Sequence, residues 1–312
     1  MESNYKQLIC DKNLAVILST YNGEKYIQQQ IESILSQTYN DFILYIRDDG
    51  SSDRTKEIIK NYSSEYPQRI VILNDDYGNI GVVKSFEELL RRIVAPYYAF
   101  ADQDDYWKPY KLEKELALIK ASDNDGDIPC LVYTDLIVVD SYMNVINRSF
   151  YKFSSISPER ALSLGKLAIQ NSVVGCTTLF NKALVDKAMP FPACCLMHDW
   201  WLALCANYYG KIIYYKHSMQ CYRQHKSNTV GAKSIKMAII NWKKRKGNTF
   251  ASIDQALELL KRKSRGNRDN TYLLRELSKR SVFGKKILLL RKGILKDGLL
   301  RNLFFFFLEK AK

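Results

Sequence analysis

Short apolar runs alternate with helix-periodic segments through the first third of the chain. Residues 14–18 and 42–46 are apolar runs of strand length, and between them Ile27, Ile31 and Ile34 recur at helical spacing. Further elements are predicted in the same alternation: a helix from Ser52 or Asp53, a strand at 70–73, a helix at 82–93, a strand at 97–101 and a helix at 111–120. This alternation predicts right-handed crossovers and an α/β fold with a mostly parallel central sheet flanked by helices.

Polar residues follow three of these predicted strands, at 19–22, 48–51 and 102–105. In open α/β sheets, ligands bind beyond the carboxyl ends of the strands, near a switch in strand order. We therefore expect the three polar segments to be neighbours and to form a ligand site.

The third segment carries an acidic cluster. Asp102 and Asp104 are separated by one residue just beyond a strand, so in extended backbone their carboxylates project to the same side. Two such carboxylates repel each other unless a cation or a proton lies between them, and oxygen ligands select Mg2+ or Mn2+. The alternative is an acidic turn in which Asp105 caps the helix that follows.

The second segment contains Asp48, Asp49 and a glycine turn before the predicted helix. Ser52 or Asp53 can cap that helix, which leaves one carboxylate without a structural role. A carboxylate at a strand end can accept a hydrogen bond from a pyrimidine imide N–H, and Tyr21 offers a ring on which a base can stack.

Taken together, these segments resemble family 2 glycosyltransferases, and the Asp-Gln-Asp-Asp-Tyr-Trp form resembles bacterial rhamnosyltransferases that build O-antigen, capsular or wall polysaccharide. The resemblance covers about residues 13–230. Four motifs carry it: Ser-Thr-Tyr-Asn-Gly at 19–23, Ile-Leu-Ser-Gln-Thr-Tyr at 34–39, Arg-Asp-Asp-Gly-Ser-Ser-Asp at 47–53 and Ala-Asp-Gln-Asp-Asp-Tyr-Trp at 101–107. It implies a GT-A fold with an added helical C-terminal region.

The resemblance also implies the roles of individual residues in the donor site. Asp49 would contact the base, Asp102 would lie near the ribose, and Asp104 would bind Mn2+ or Mg2+ at the diphosphate. The nucleotide-binding set is Ser19, Thr20, Tyr21, Asn22, Asp49, Asp102 and Gln103.

Three residues of the second half complete the expected site. Asp199, in His-Asp-Trp-Trp at 198–201, matches the family's catalytic base; the alternative is a first-turn acidic residue that complements the helix dipole. Arg223 and His225 resemble the closing motif in which a mobile loop reaches the diphosphate; the alternative for both is a solvated surface group.

The resemblance implies an inverting, metal-dependent transfer of a sugar, with rhamnose as one candidate, from a dTDP- or UDP-linked donor. The acceptor would be a lipid-linked oligosaccharide or a polysaccharide. These motifs leave open the donor sugar, the base, the acceptor and the linkage.

Charge divides the chain into two regions. Residues 232–312 contain 22 Lys and Arg against 6 Asp and Glu, whereas the rest of the chain contains 25 against 27. We expect a GT-A catalytic domain at 1–231, with a donor half at 13–120 and an acceptor half at 121–231, and a basic helical region at 232–312. In the acceptor half, strands are predicted at 130–133, 173–180 and 212–215, and a helix at 198–208.

The basic region ends in an aromatic run at 303–308 that allows two interpretations. Basic helices with large apolar side chains can lie on an anionic membrane surface. Alternatively, the run packs on the catalytic domain or forms a homodimer contact.

The chain has no uninterrupted apolar segment of about 20 residues, and its first residues lack the layout of a signal peptide. We therefore expect a cytoplasmic protein, peripheral at the inner face of the cell membrane. A nucleic-acid-binding protein is a rival interpretation of the basic region, but acidic loops repel phosphate backbones. A metal-dependent hydrolase of a sugar or phosphate ester is the other rival, because it too uses paired carboxylates.

Overall fold

The computed structural model describes residues 7–225, 250–262, 266–303 and 305–306. Its first half alternates strands and helices, as predicted. The elements are β1 (Leu8–Ile9), β2 (Leu14–Thr20), α1 (Ile27–Leu35), β3 (Phe42–Asp48), α2 (Thr55–Glu65), β4 (Ile70–Ile72), α3 (Val82–Arg92), β5 (Ile93–Val94), β6 (Tyr97–Ala101), β7 (Tyr106–Trp107) and α4 (Lys111–Lys120).

Strands β4, β3, β2 and β6 lie side by side in that order, and all three pairings are parallel. Strand β2 is apolar throughout because its two faces enter different cores: Ala15 and Ile17 pack on one side, and Leu14, Val16 and Leu18 on the other. Helix α2 begins at Thr55, slightly later than predicted, and Asp53 accepts a hydrogen bond from the Thr55 N–H at 3.0 Å.

The second half of the sheet is mixed. Its elements are β8 (Cys130–Val139), β9 (Val145–Asn147), α5 (Phe150–Ser154), α6 (Leu164–Ile169), β10 (Thr178–Asn181), α7 (Lys182–Ala188), α8 (His198–Tyr209) and β11 (Lys211–Arg223). Strand β10 runs antiparallel between β6 and β8, and β11 pairs parallel with β8. The α/β prediction is therefore correct, but the parallel part of the sheet is confined to the donor half and to the β8–β11 pair.

The strand predicted at 173–180 begins only at Thr178. Residues Gly175–Thr177 form a 3-10 turn instead, in which the Thr177 N–H donates to the Val174 carbonyl at 3.0 Å. This turn lies against the end of β6, where the acidic cluster begins.

The C-terminal elements are α9 (Ala251–Leu257), a 3-10 turn at Glu258–Lys261, α10 (Arg268–Ser278), α11 (Val282–Arg291) and α12 (Leu299–Leu303). Helices α9, α10 and α11 pack on Ile169 of α6 through a separate apolar cluster that includes Leu277, Leu289, Phe305 and Phe306. Of the aromatic run, Phe305 and Phe306 are therefore packed against the rest of the protein. Residues 304, 307 and 308 lie outside the described part of the chain. No helix among the described residues is long and apolar enough to cross a bilayer.

Candidate active site

Gln103 joins the carboxyl ends of β2 and β6. Its Oε1 accepts hydrogen bonds from the Thr20 hydroxyl at 2.5 Å and from the Tyr21 N–H at 2.9 Å, while its Nε2 donates to the Tyr21 carbonyl at 3.1 Å. Gly23 lies so close that a Cβ there would collide with the Gln103 amide. Three of the predicted nucleotide-binding residues are therefore brought together, and the Tyr21 side chain stays 49% exposed.

Asp49 holds the loop that precedes α3. Its Oδ1 accepts the Ile80 N–H at 2.9 Å and Arg47 Nη1 at 2.6 Å, and its Oδ2 accepts the Gly81 N–H at 2.9 Å. The Arg47 guanidinium is buried and also forms a forked pair with Asp75, at 2.7 and 3.0 Å. This network was not predicted from the sequence. The available signal was Arg47, a charged residue at the end of an otherwise apolar strand. The contact between Asp49 and a base stays a prediction.

Ser19 and Asn22 make structural contacts around the same turn. The Ser19 hydroxyl lies 2.6 Å from that of Ser85. Asn22 has the left-handed backbone that Asn tolerates, with φ at 48°, and its Oδ1 accepts the Ser52 N–H at 2.9 Å. These bonds tie the loop after β2 to the loop after β3, so the two predicted polar segments are neighbours.

Asp104 pairs with His225. The Asp104 Oδ2 lies 2.7 Å from the His225 Nε2, and both side chains are only slightly exposed. The Arg223 Nε donates to the Asp104 backbone carbonyl at 3.0 Å, and its guanidinium stacks on the Tyr26 ring at 4.5 Å. Both residues of the predicted closing motif therefore contact the acidic cluster; their contacts to a diphosphate stay predictions.

The interpretation of Asp105 as a helix cap is wrong. The residue is fully buried, α4 begins only at Lys111, and Asp105 Oδ2 accepts a hydrogen bond from Gln220 Nε2 at 2.7 Å. Its Oδ1 has no partner among the described residues. Burial, followed by the charges of Asp104 and Asp102, raises the pKa of Asp105 well above its usual range.

Cys176 lies beneath the cluster, with its Sγ and one oxygen each from Asp102 and Asp105 mutually within 4.8 Å. Burial and the two neighbouring carboxylates raise the pKa of the Cys176 thiol well above its usual value. In its protonated form the thiol can donate a hydrogen bond to the neighbouring carboxylates. From the sequence, Cys176 was expected near the acceptor cleft but had no assigned role, because only the turn at Gly175–Thr177 brings it to the acidic cluster.

Asp199 lies in the first turn of α8 and is buried. Its Oδ2 accepts the Gly175 N–H at 3.0 Å, and its Oδ1 accepts the Trp200 N–H at 2.5 Å. Burial raises the pKa of Asp199 to about 6, so the carboxylate is mostly ionised at neutral pH and can accept a proton.

Asp102, which belongs to the acidic cluster, also interacts electrostatically with Asp199. Burial raises the pKa of Asp102, and the charges of Asp104 and Asp199 raise it further. Asp102 is therefore within electrostatic reach of both residues, and the predicted base shares one site with the predicted metal ligand.

The residues present fit a divalent cation. Three carboxylates crowd one turn, and their mutual repulsion, which adds to burial in raising the pKa of Asp102 and Asp105, is relieved by a proton or a cation between them. The adjacent carboxylate oxygen of Asp104 and ring nitrogen of His225 can both be metal ligands, and carboxylates suit Mg2+ and Mn2+.

The family model described as Glycosyl transferase family 2 matches residues 15–187, more than half of the chain. The dTDP-rhamnosyl transferase RfbG of Shigella flexneri is 29% identical over 231 residues, which cover 69% of this chain and 74% of RfbG. Other curated relatives are matched over less than two thirds of their own length, 54% and 59% in two cases.

Two solved structures share the fold. S. aureus TarS 1-349 in complex with UDP-GlcNAc matches with a TM-score of 0.53 at 18% identity, covering 89% of this chain and 79% of that one. The mannosyltransferase PcManGT from Pyrobaculum calidifontis, in complex with GDP-Man and Mn2+, matches with a TM-score of 0.52 at 14% identity, covering 93% and 81%.

Proposed function

The chain belongs to glycosyl transferase family 2 and has the GT-A fold, and from this premise we propose that it is a metal-dependent, inverting glycosyltransferase. The observation that carries the proposal is the buried Asp199 carboxylate, ionised at neutral pH, in the same site as the Asp104–His225 pair. Family membership favours this reaction over nucleic-acid binding and over hydrolysis.

The donor is a nucleoside-diphosphate sugar with a pyrimidine base, dTDP- or UDP-linked. Tyr21 would stack on the base, Asp49 would accept its imide N–H, and Asp102 would lie near the ribose. The printed name of RfbG supports a dTDP-rhamnose donor, and the TarS complex with UDP-GlcNAc supports a UDP-sugar. Rhamnose is the sugar we propose first, because of the greater sequence similarity to RfbG.

Asp104 would be the direct ligand of Mn2+ or Mg2+, with His225 as a second ligand. When bound, such a cation neutralises the charge that develops on a departing diphosphate. Arg223 holds the backbone of Asp104 in place, and its guanidinium lies close enough to the cluster to contact phosphate oxygens in a complex.

Asp199 would act as general base. The N–H groups of Gly175 and Trp200 hold its carboxylate in one orientation. It would remove the proton from an acceptor hydroxyl as that oxygen attacks the anomeric carbon from the face opposite to the diphosphate. A single displacement of this kind inverts the anomeric centre.

The acceptor we propose is a lipid-linked oligosaccharide or a polysaccharide in the synthesis of O-antigen, capsule or wall polysaccharide. The enzyme would then work in the cytoplasm, peripheral at the inner face of the cell membrane. We also propose residues 1–231 as the catalytic domain and 232–312 as an accessory region.

A nucleotide-sugar screen with two variants tests this function. UDP and dTDP affinities are measured by calorimetry in Mn2+ and in EDTA, and turnover is followed with membrane extract as acceptor. We expect Asp104→Asn to weaken metal-dependent nucleotide binding about tenfold or more, because one charged ligand is lost. Asp199→Asn should bind donor normally, yet its turnover should fall about 10²–10⁴-fold.

Asp186→Asn is the matched control, since Asp186 is an exposed acidic residue that pairs only with Lys182 among the contacts described. It should behave as the wild type. Full activity of Asp104→Asn, or equal nucleotide affinity in Mn2+ and EDTA, would contradict the proposed metal site.

A further inference from the structure

Helix α11 is apolar on two opposite faces. Leu288 and Leu289 are buried in the C-terminal cluster. Phe283, Ile287 and Leu290 are exposed, by 72%, 37% and 44%. Their spacing of four and three residues places these three side chains in one line along the helix, here called the α11 stripe. A helix on the surface of a soluble protein has polar residues on this face, so the α11 stripe requires a partner.

Cations flank the α11 stripe. At 3.6 residues per turn, Lys286 and Arg291 fall on its two sides. On α12, Leu299 and Leu303 are also exposed and are four residues apart. The chain just after α12 returns to α11, because the Phe306 carbonyl accepts a hydrogen bond from Lys286 Nζ at 2.9 Å.

A second copy of this chain and an anionic bilayer are the two partners that would cover such a surface, and the charge of the region distinguishes between them. A second copy of this chain would bring together two regions that each carry 22 basic residues against 6 acidic ones, and these like charges would repel. An anionic bilayer offers hydrocarbon for the apolar side chains and negative headgroups for the flanking cations.

We propose that the α11 stripe docks on an anionic lipid surface, with Phe283, Ile287 and Leu290 inserted at the boundary between headgroups and acyl chains. This surface is distinct from the aromatic run at the chain's end, whose Phe305 and Phe306 are buried. The inference deepens the proposed function and rests on its membrane-peripheral location, which it assigns to one face; lipid binding by this face itself requires neither donor nor metal.

Vesicle sedimentation with the full chain tests the proposal. The vesicles contain equal parts of phosphatidylglycerol and phosphatidylcholine, and pure phosphatidylcholine serves for comparison. We expect the wild type to bind the anionic vesicles only. The triple variant Phe283→Ser, Ile287→Ser, Leu290→Ser should bind about tenfold more weakly or worse, because it removes the apolar side chains that would leave water on binding.

The matched control is Val145→Ser with Ile146→Ser, which removes two exposed apolar side chains from β9 and should leave vesicle binding unchanged. Arg291→Gln should weaken binding to anionic vesicles, and Lys60→Gln, which removes an exposed cation from α2, is its charge control. Circular dichroism checks that each variant is folded, and if the triple variant is not, the single Phe283→Ser variant replaces it.

Three results would overturn the proposal. The first is equal vesicle binding by the wild type and the stripe variant, and the second is no binding by the wild type. The third is a dimer in sedimentation velocity that the stripe variant loses, which would assign the face to a second copy. Nucleotide affinity is measured without vesicles, so failure of the proposed function would appear in a separate experiment.

Discussion

Asp199 illustrates how the surroundings of one residue set its chemistry. An exposed aspartate is too weak a base to take a proton efficiently near neutral pH. Burial under the turn at Gly175–Thr177 raises its pKa to about 6, while two backbone N–H groups still stabilise the ionised form. The result is a carboxylate that is ionised at pH 7 and still basic enough for general-base catalysis.

The pH dependence of turnover follows from this pKa. Because the active form is the ionised one, turnover should rise with pH through about 6 and level off above it, falling about tenfold per pH unit on the acid side. The measurement is initial rate against pH at saturating donor. The residual activity of Asp199→Asn should lack this inflection, and an unchanged profile in that variant would assign the titration to another group.

Single residues also show which parts of the site the sequence could reveal. Asp102, Asp104 and Asp199 were predicted as site residues because each follows a strand or begins a helix within a recognisable motif, and their roles stay predictions. Asp105 was misassigned because its partner, Gln220, is 115 residues away in the chain. A hydrogen bond between residues so far apart in the chain depends on where β11 lies in the sheet. The local sequence pattern does not specify that position.

At the scale of elements, β11 connects helix α8 to the acidic cluster. It begins directly after α8, pairs with β8 from Lys211 onward, and delivers Gln220 and Arg223 to the cluster at its far end. Its start at 211 was predicted within one residue. The length of β11 was not predicted. Beyond Tyr215 its residues alternate irregularly in polarity, and its pairing with β8 shifts register there.

Gly210 sets the start of β11, and Gly210→Ala should destabilise the protein. A Cβ at this position would collide with the backbone carbonyl of Pro129, which cannot move aside without displacing β8. We expect a loss of about 1–3 kcal/mol or more in the free energy of unfolding, measured in urea, together with reduced turnover.

Gly284→Ala is the control for this substitution, since Gly284 lies within α11 and its new Cβ would approach only side-chain atoms. It should change the free energy of unfolding by about 1 kcal/mol or less. Equal stability of the two variants would show that the approach of Pro129 to Gly210 can relax.

At the scale of the whole molecule, a buried arginine fastens the C-terminal segment to the acceptor half. Arg160 donates to the Asp297 carboxylate at 2.8 Å and to the Leu295 carbonyl at 2.7 Å, and the Ser157 N–H donates to the same carboxylate at 2.7 Å. These bonds join turns that are far apart in sequence, so only the assembled structure shows them.

Arg160→Met should therefore loosen the C-terminal helices. The substitution removes the Arg160 donors from the Leu295 carbonyl and from the Asp297 carboxylate, which keeps only the Ser157 N–H of the three bonds above, and it should cost about 1–3 kcal/mol. Urea unfolding measures the loss. Arg54→Met removes an arginine from the exposed pair with Glu57 and should leave the free energy of unfolding nearly unchanged. Comparable losses in both variants would mean that Arg160 contributes no more than a surface charge.

The bonds of Gln103 have a further consequence for the proposed nucleotide. One amide both donates to and accepts from the peptide groups of Tyr21, which fixes the backbone of that residue before any ligand arrives. A half-exposed ring on an immobilised backbone is a preorganised platform. A base stacking on it would lose little additional conformational freedom of the protein, so more of the stacking energy would appear as affinity.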